Sequence, residues 1–86
     1  MKLNNKFLLH TSNDETFIIP SGEASFAGVI RGNKTLGVIA SLLEHNITED
    51  EIIRAMCKSY DASEDMIERD VRKAINHLKS VGAIID

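Results

Sequence analysis

The spacing of apolar residues changes near the middle of the chain. Before about residue 32 they come in short runs separated by turn residues. Phe7-Leu8-Leu9 is followed by Ser12-Asn13-Asp14 and then by Phe17-Ile18-Ile19, which predicts a β-hairpin with a polar loop. Pro20 and Gly22 close the second strand, since proline cannot donate to a ladder. Ser25 to Ile30 reads as a third short strand, with Gly28 marking a bulge or a close approach by another backbone. After residue 33 the period is helical. Leu36, Ile39, Leu42 and Leu43 predict a helix over about 34–45. Thr48-Glu49-Asp50-Glu51 is a capping box that opens a second helix over about 49–60, with Ile52, Ile53, Met56, Cys57 and Tyr60 on one face. Ser63 is a good N-cap for a third helix over about 64–81, carrying Ile67, Val71, Ala74, Ile75, Leu78 and Val81. Gly82 stands where a left-handed C-terminal cap belongs, and the apolar Ala83-Ile84-Ile85 is expected to dock on the body.

Strands within 5–31 followed by three helices predict an α+β fold, winged helix-turn-helix-like, with a three-stranded antiparallel sheet. The 86 residues make a single domain over 1–86, large enough to fold around one core. At 43% hydrophobic and 27% charged the composition is that of a globular protein, which argues against disorder. No apolar run approaches the roughly 20 residues of a membrane span. The N-terminus lacks the apolar core of a signal peptide, and the lone Cys57 cannot form an internal disulfide. A cytoplasmic setting is therefore expected.

The formal charge is −3, and its distribution is more informative. Between Glu44 and Asp70 the acidic residues Glu44, Glu49, Asp50, Glu51, Asp61, Glu64, Asp65, Glu68 and Asp70 are opposed only by Arg54, Lys58 and Arg69. A winged helix invites comparison with DNA-binding regulators, whose last motif helix enters the major groove by its N-terminal end. Here that end carries Glu64, Asp65 and Glu68, and the hairpin tip is Ser12-Asn13-Asp14-Glu15. Both surfaces would repel phosphate, so nucleic acid is not the expected partner. A plain interaction or oligomerisation domain is a third reading.

Motifs of catalysis are missing. There is no glycine-rich phosphate loop, Cys-x-x-Cys pair, cluster-binding cysteine triad or Gly-x-Ser-x-Gly elbow. His10, His45, His77 and Cys57 follow no metal-ligand spacing, and Cys57 falls on an apolar helix face. The chain is therefore expected to be no enzyme and to hold no metal or cofactor. An exposed strand edge, in contrast, accepts an added peptide strand.

Three stretches give the chain a family resemblance. The first is Phe17-Ile18-Ile19-Pro20-Ser21-Gly22-Glu23. The second is Gly32-Asn33-Lys34-Thr35-Leu36-Gly37 with the helix through Leu42-Leu43. The third runs from Asp70-Val71-Arg72-Lys73 through Ala74-Ile75-Asn76-His77-Leu78 to Val81-Gly82-Ala83-Ile84-Ile85. In order and spacing they resemble the PqqD family of pyrroloquinoline-quinone biosynthesis, whose members are also called RiPP recognition elements. Ala40 and Ala74 stand where that family carries tryptophan and phenylalanine, so the core or groove is filled differently here.

The resemblance implies a small peptide chaperone. Such a protein binds the leader segment of a ribosomally made precursor peptide, added as a strand to the third β-strand with the third helix as the other wall. It then presents the peptide to a separate modifying enzyme, such as a radical S-adenosylmethionine enzyme or a leader protease. Carried over by position, the peptide-binding residues are Ser25, Phe26, Ala27, Gly28, Val29 and Ile30, chiefly through backbone. Met66, Asp70, Lys73 and His77 share one flank of the third helix by 100° steps and are expected to line the groove. An open sheet edge is compatible with a monomer or a strand-swapped dimer, and no membrane partner is expected.

Overall fold

The computed structural model describes residues 1–22 and 28–86. In chain order the elements are β1 (Lys2–Leu3), β2 (Phe7–Ser12), β3 (Glu15–Pro20), β4 (Ile30–Gly32), α1 (Lys34–Leu42), α2 (Glu49–Ser59), α3 (Glu64–Ser80) and β5 (Ile84–Ile85). The fold is α+β: a three-stranded antiparallel sheet in the order β2-β3-β4, followed by three helices.

β2 and β3 pair from Phe7↔Pro20 to Ser12↔Glu15, leaving Asn13 and Asp14 as the turn. Both turn residues have positive φ, 50° and 66°. A two-residue turn of that kind matches the twist of the flanking strands, and Asn and Asp tolerate the left-handed region because their side chains bond locally. Alternation then sorts the faces. Phe7, Ile18 and Ile30 point into the core, while Leu8, His10 and Arg31 point outward. Arg31 lies over the Phe17 ring and forms an ion pair with Glu15, fastening β4 to β3 on the outer face.

The helices begin at side-chain caps. Asn33 accepts from the Leu36 amide at 3.1 Å. Thr48 and Glu51 form the reciprocal capping box, each bond 3.1 Å. Ser63 accepts from the Met66 amide at 3.3 Å. α3 ends in a Schellman motif: Gly82 has φ 79°, its amide donates to Lys79, and the Ala83 amide donates to Leu78. Ile39 and Ala40 of α1, Ile52 and Met56 of α2, and Ile67, Val71, Ile75 and Leu78 of α3 meet Ile18 and Ile30 of the sheet in one core.

α1 packs very closely on β3. A Cβ on Gly37 would collide with Oγ1 of Thr16, and that buried hydroxyl donates to the Asn33 carbonyl at 2.9 Å. The contact fixes the start of α1 against the sheet.

Two expectations need correction. The third strand, expected over Ser25 to Ile30, is found as Ile30–Gly32, paired Ile18↔Ile30 through Thr16↔Gly32. Ser25, Phe26 and Ala27 lie outside the described residues, and Gly28 and Val29 precede the strand, both exposed. Helix α1 stops at Leu42 rather than His45. The reason is competition from the N-terminus: the Leu3 amide donates to the Leu43 carbonyl at 2.7 Å, and the Ile47 amide donates to Met1 at 2.9 Å. The apolar tail docks on the body as expected, and does so as a strand. β5 pairs with β1, with Leu3 opposite Ile84.

Candidate functional site

β4 is an edge of the sheet among the described residues, since β3 lies on one side and no described strand lies on the other. An edge strand presents unpaired amides and carbonyls along its open side. Where β4 ends, a cleft of about 320 Å³ begins. One wall is the first turns of α1, from its cap Asn33 through Thr35, Leu36 and Ile39. The other is the middle of α3, namely Asp70, Lys73, Ala74 and His77.

The cleft exists because of side-chain size and helix period. Val71, Ile75 and Leu78 turn fully inward, which rotates Ala74 to the margin of the core, half-buried. A one-carbon side chain there leaves room between α3 and the half-buried Leu36 of α1. Ala74 packs against the core from its margin and also lines the cleft, while Ile75 is buried. Asp70, Lys73 and His77 lie at intervals of three and four residues along the solvent side, as helix periodicity requires.

Of the residues expected on the α3 flank, the structure gathers Asp70, Lys73 and His77 into one cleft. Met66 lies one turn earlier, outside the cleft lining, with 56% of its surface exposed. Of the strand residues, Ile30 is in β4 with its side chain in the core, so only its backbone can meet a ligand. Val29 is 55% exposed just before β4. The α1 wall was missed from sequence. Its signal was present in Leu36, an apolar residue at the first turn, but periodicity assigned it to the core.

A second cavity of about 460 Å³ lies on the other flank of α1, beneath the hairpin, between residues such as Thr11, Asp14, Lys34 and Val38. It is remote from the α3 flank. Among the described residues no three His, Cys, Asp or Glu side chains gather at a metal-binding distance. Among the described residues no helix is long and apolar enough to cross a membrane.

Comparison with known proteins now bears on this edge and cleft. The family model of coenzyme PQQ synthesis protein D (PqqD) matches residues 22–84, which include β4, all three helices and every residue of the cleft. The chain belongs to the PqqD family. The solved structure described as "TbiB1 in Complex with the TbiA(beta) Leader Peptide" has the same fold, with a TM-score of 0.80, covering 100% of both chains at 22% sequence identity. No curated protein matches in sequence.

Proposed function

We propose that this PqqD-family chain binds the leader segment of a ribosomally made precursor peptide as an added strand on β4, and presents it to a separate modifying enzyme. The observation that carries the proposal is the open edge of β4, whose last residue Gly32 is followed directly by Asn33 in the wall of the cleft between α1 and α3. Backbone pairing along β4 supplies affinity that is independent of sequence, and the cleft receives alternate side chains and supplies selectivity. The full-length likeness to TbiB1, a protein solved with a leader peptide, supports the same reading.

The chain's part in the modification is binding rather than catalysis. Its titratable groups at the cleft are exposed and separate, with no nucleophile–base pair among them. The modifying enzyme, of the radical S-adenosylmethionine or leader-protease kind, is a separate protein. Glu64, Asp65 and Glu68 at the start of α3 oppose a phosphate backbone, so the winged-helix regulator reading has no support in the charge.

The test is calorimetric titration of the purified chain with the short peptides encoded beside its gene. One of them should bind, and N-methylation of alternate leader amides should abolish binding at the positions that donate to β4. Binding unaffected by any N-methyl group refutes strand addition.

A further inference from the structure

The sheet has a second edge, along β2, where no strand pairs among the described residues. The hairpin register determines which groups that edge leaves free. In a two-residue hairpin the residues flanking the turn, here Ser12 and Glu15, exchange both backbone bonds, and bonded pairs then alternate with unbonded ones. Ser12, His10 and Leu8 therefore bond to β3, whereas Thr11, Leu9 and Phe7 turn their amides and carbonyls outward. Two bonds beyond the ladder agree with this parity. The Lys6 carbonyl accepts from the Ser21 amide at 2.7 Å on the β3 side, and the Phe7 amide donates away from β3 to the Asn4 carbonyl at 3.0 Å. Leu9 and Thr11 are left with both backbone groups free of any described partner.

Nothing on β2 guards this edge. Edge strands are usually blunted by lysine, proline, a bulge or shortness. β2 is six residues long, Phe7-Leu8-Leu9-His10-Thr11-Ser12, with no lysine, no proline and an unbroken register. Leu8 on its outer face is 62% exposed. The two ends of the strand differ in charge. Exposed Lys6 precedes it and exposed Asp14 lies in the turn that follows, and neither is in an ion pair among the described residues. A strand with a cation at one end and an anion at the other is complementary to a second copy of itself laid antiparallel. A parallel copy would set like charges together.

We propose that two copies of the chain pair β2 to β2, antiparallel, about a twofold axis at His10. This register uses the free groups. Leu9 of each copy exchanges both backbone bonds with Thr11 of the other, and the Phe7 amide, already taken by Asn4, is not needed. A register centred on Leu9 would call on that amide. Across the axis the two His10 side chains are neighbours on the outer face, with Leu8 of each copy beside Ser12 of the other. On the inner side Leu9 comes beside Thr11, which lines the 460 Å³ cavity with Val38 and Leu42. Lys6 of each copy comes opposite Asp14 of the other. The two three-stranded sheets become one, with β4 at both outer ends. Each β4 edge stays open, so the proposal does not depend on the peptide-binding reading. With only β2 in contact, the interface is far smaller than the roughly 20–30 residues a side of a stable complex, and the dimer is a weak one that forms with concentration.

The test is sedimentation equilibrium of the full chain between about 1 μM and 1 mM, the span of weak association. The mean mass should rise with concentration from 9.5 kDa toward twice that value. Over the same range the amide shifts of Leu8 to Ser12 should move and those of β4 should not. His10→Lys and His10→Glu each set like charges across the axis on an exposed face. Each alone should raise the dissociation constant roughly fivefold, with the circular-dichroism spectrum unchanged. An equimolar mixture of the two variants should associate more tightly than either alone, because its mixed dimer pairs opposite charges. Asp14→Asn, which keeps a residue suited to the turn, should weaken association about two- to fivefold, the range of an exposed ion pair. Added salt should weaken the unmodified dimer in the same direction. A chain still monomeric at about 1 mM, a mixture of His10 variants no tighter than its components, or concentration-dependent shifts on β4 or the helices instead of β2 overturns the proposal.

Discussion

Gly37→Ala should destabilise the domain, although the substitution normally strengthens a helix. In an exposed helix interior, alanine gains about 1 kcal/mol over glycine. Here the added Cβ collides with the Thr16 hydroxyl, which is buried and donates to the Asn33 carbonyl. Overpacking costs about 1–3 kcal/mol, and disturbing the hydrogen bond costs about 1 kcal/mol more. The balance is a loss of roughly 1–3 kcal/mol. For a domain of this size that lowers Tm by about 4–8 °C per kcal/mol. Urea unfolding followed by circular dichroism measures it, and the sign is decisive. The cost should also vanish in a Thr16→Ala background, where the collision is gone; there Gly37→Ala should be neutral or stabilising. The Asn33 carbonyl keeps a partner in that background, because the Gly37 amide donates to it at 3.2 Å. A stabilisation of about 1 kcal/mol in the native background would show that α1 does not rest on β3 as described. Equal costs in both backgrounds would refute the role of Thr16.

Two further substitutions test the ends of the helices. Thr48→Ala removes the capping box of α2 and should cost about 1 kcal/mol in urea unfolding, with Thr48→Ser restoring most of it. Gly82→Ala forces an alanine into φ 79° with no atom within 4 Å of the new Cβ, so its cost of about 1–2 kcal/mol is conformational alone. Gly82→Asn should therefore be milder than Gly82→Ala in the same assay, because asparagine tolerates that region.

The parts of the fold legible in the sequence are those set by neighbours in the chain. The caps at Thr48, Ser63 and Gly82, the hairpin turn and the inward stripe of α3 are all local, and each is found where the residues indicate. The illegible parts depend on distant partners. The end of α1 is decided by Leu3 and Met1, some forty residues away, whose groups take up the chain after Leu42. The position of β4 is decided by its pairing with Thr16–Ile18 and by the Thr16–Asn33 bond, since the run before Ile30 has no alternation to fix a register. At the cleft, the α3 flank followed from helical geometry. The α1 wall did not, because Leu36 reads as core until the small Ala74 opposite it is placed.

The central claim is that a leader strand adds to β4. It is tested most directly by nuclear Overhauser effects between an isotope-labelled chain and the tightest-binding peptide encoded beside its gene. The account predicts cross-strand contacts from the peptide backbone to Ile30, Arg31 and Gly32, with slowed amide exchange on both strands and peptide side-chain contacts to Ala74. A bound peptide that contacts the outer sheet face at Leu8 and Ile19, or the cavity beneath the hairpin, and leaves the β4 amides unchanged would contradict it.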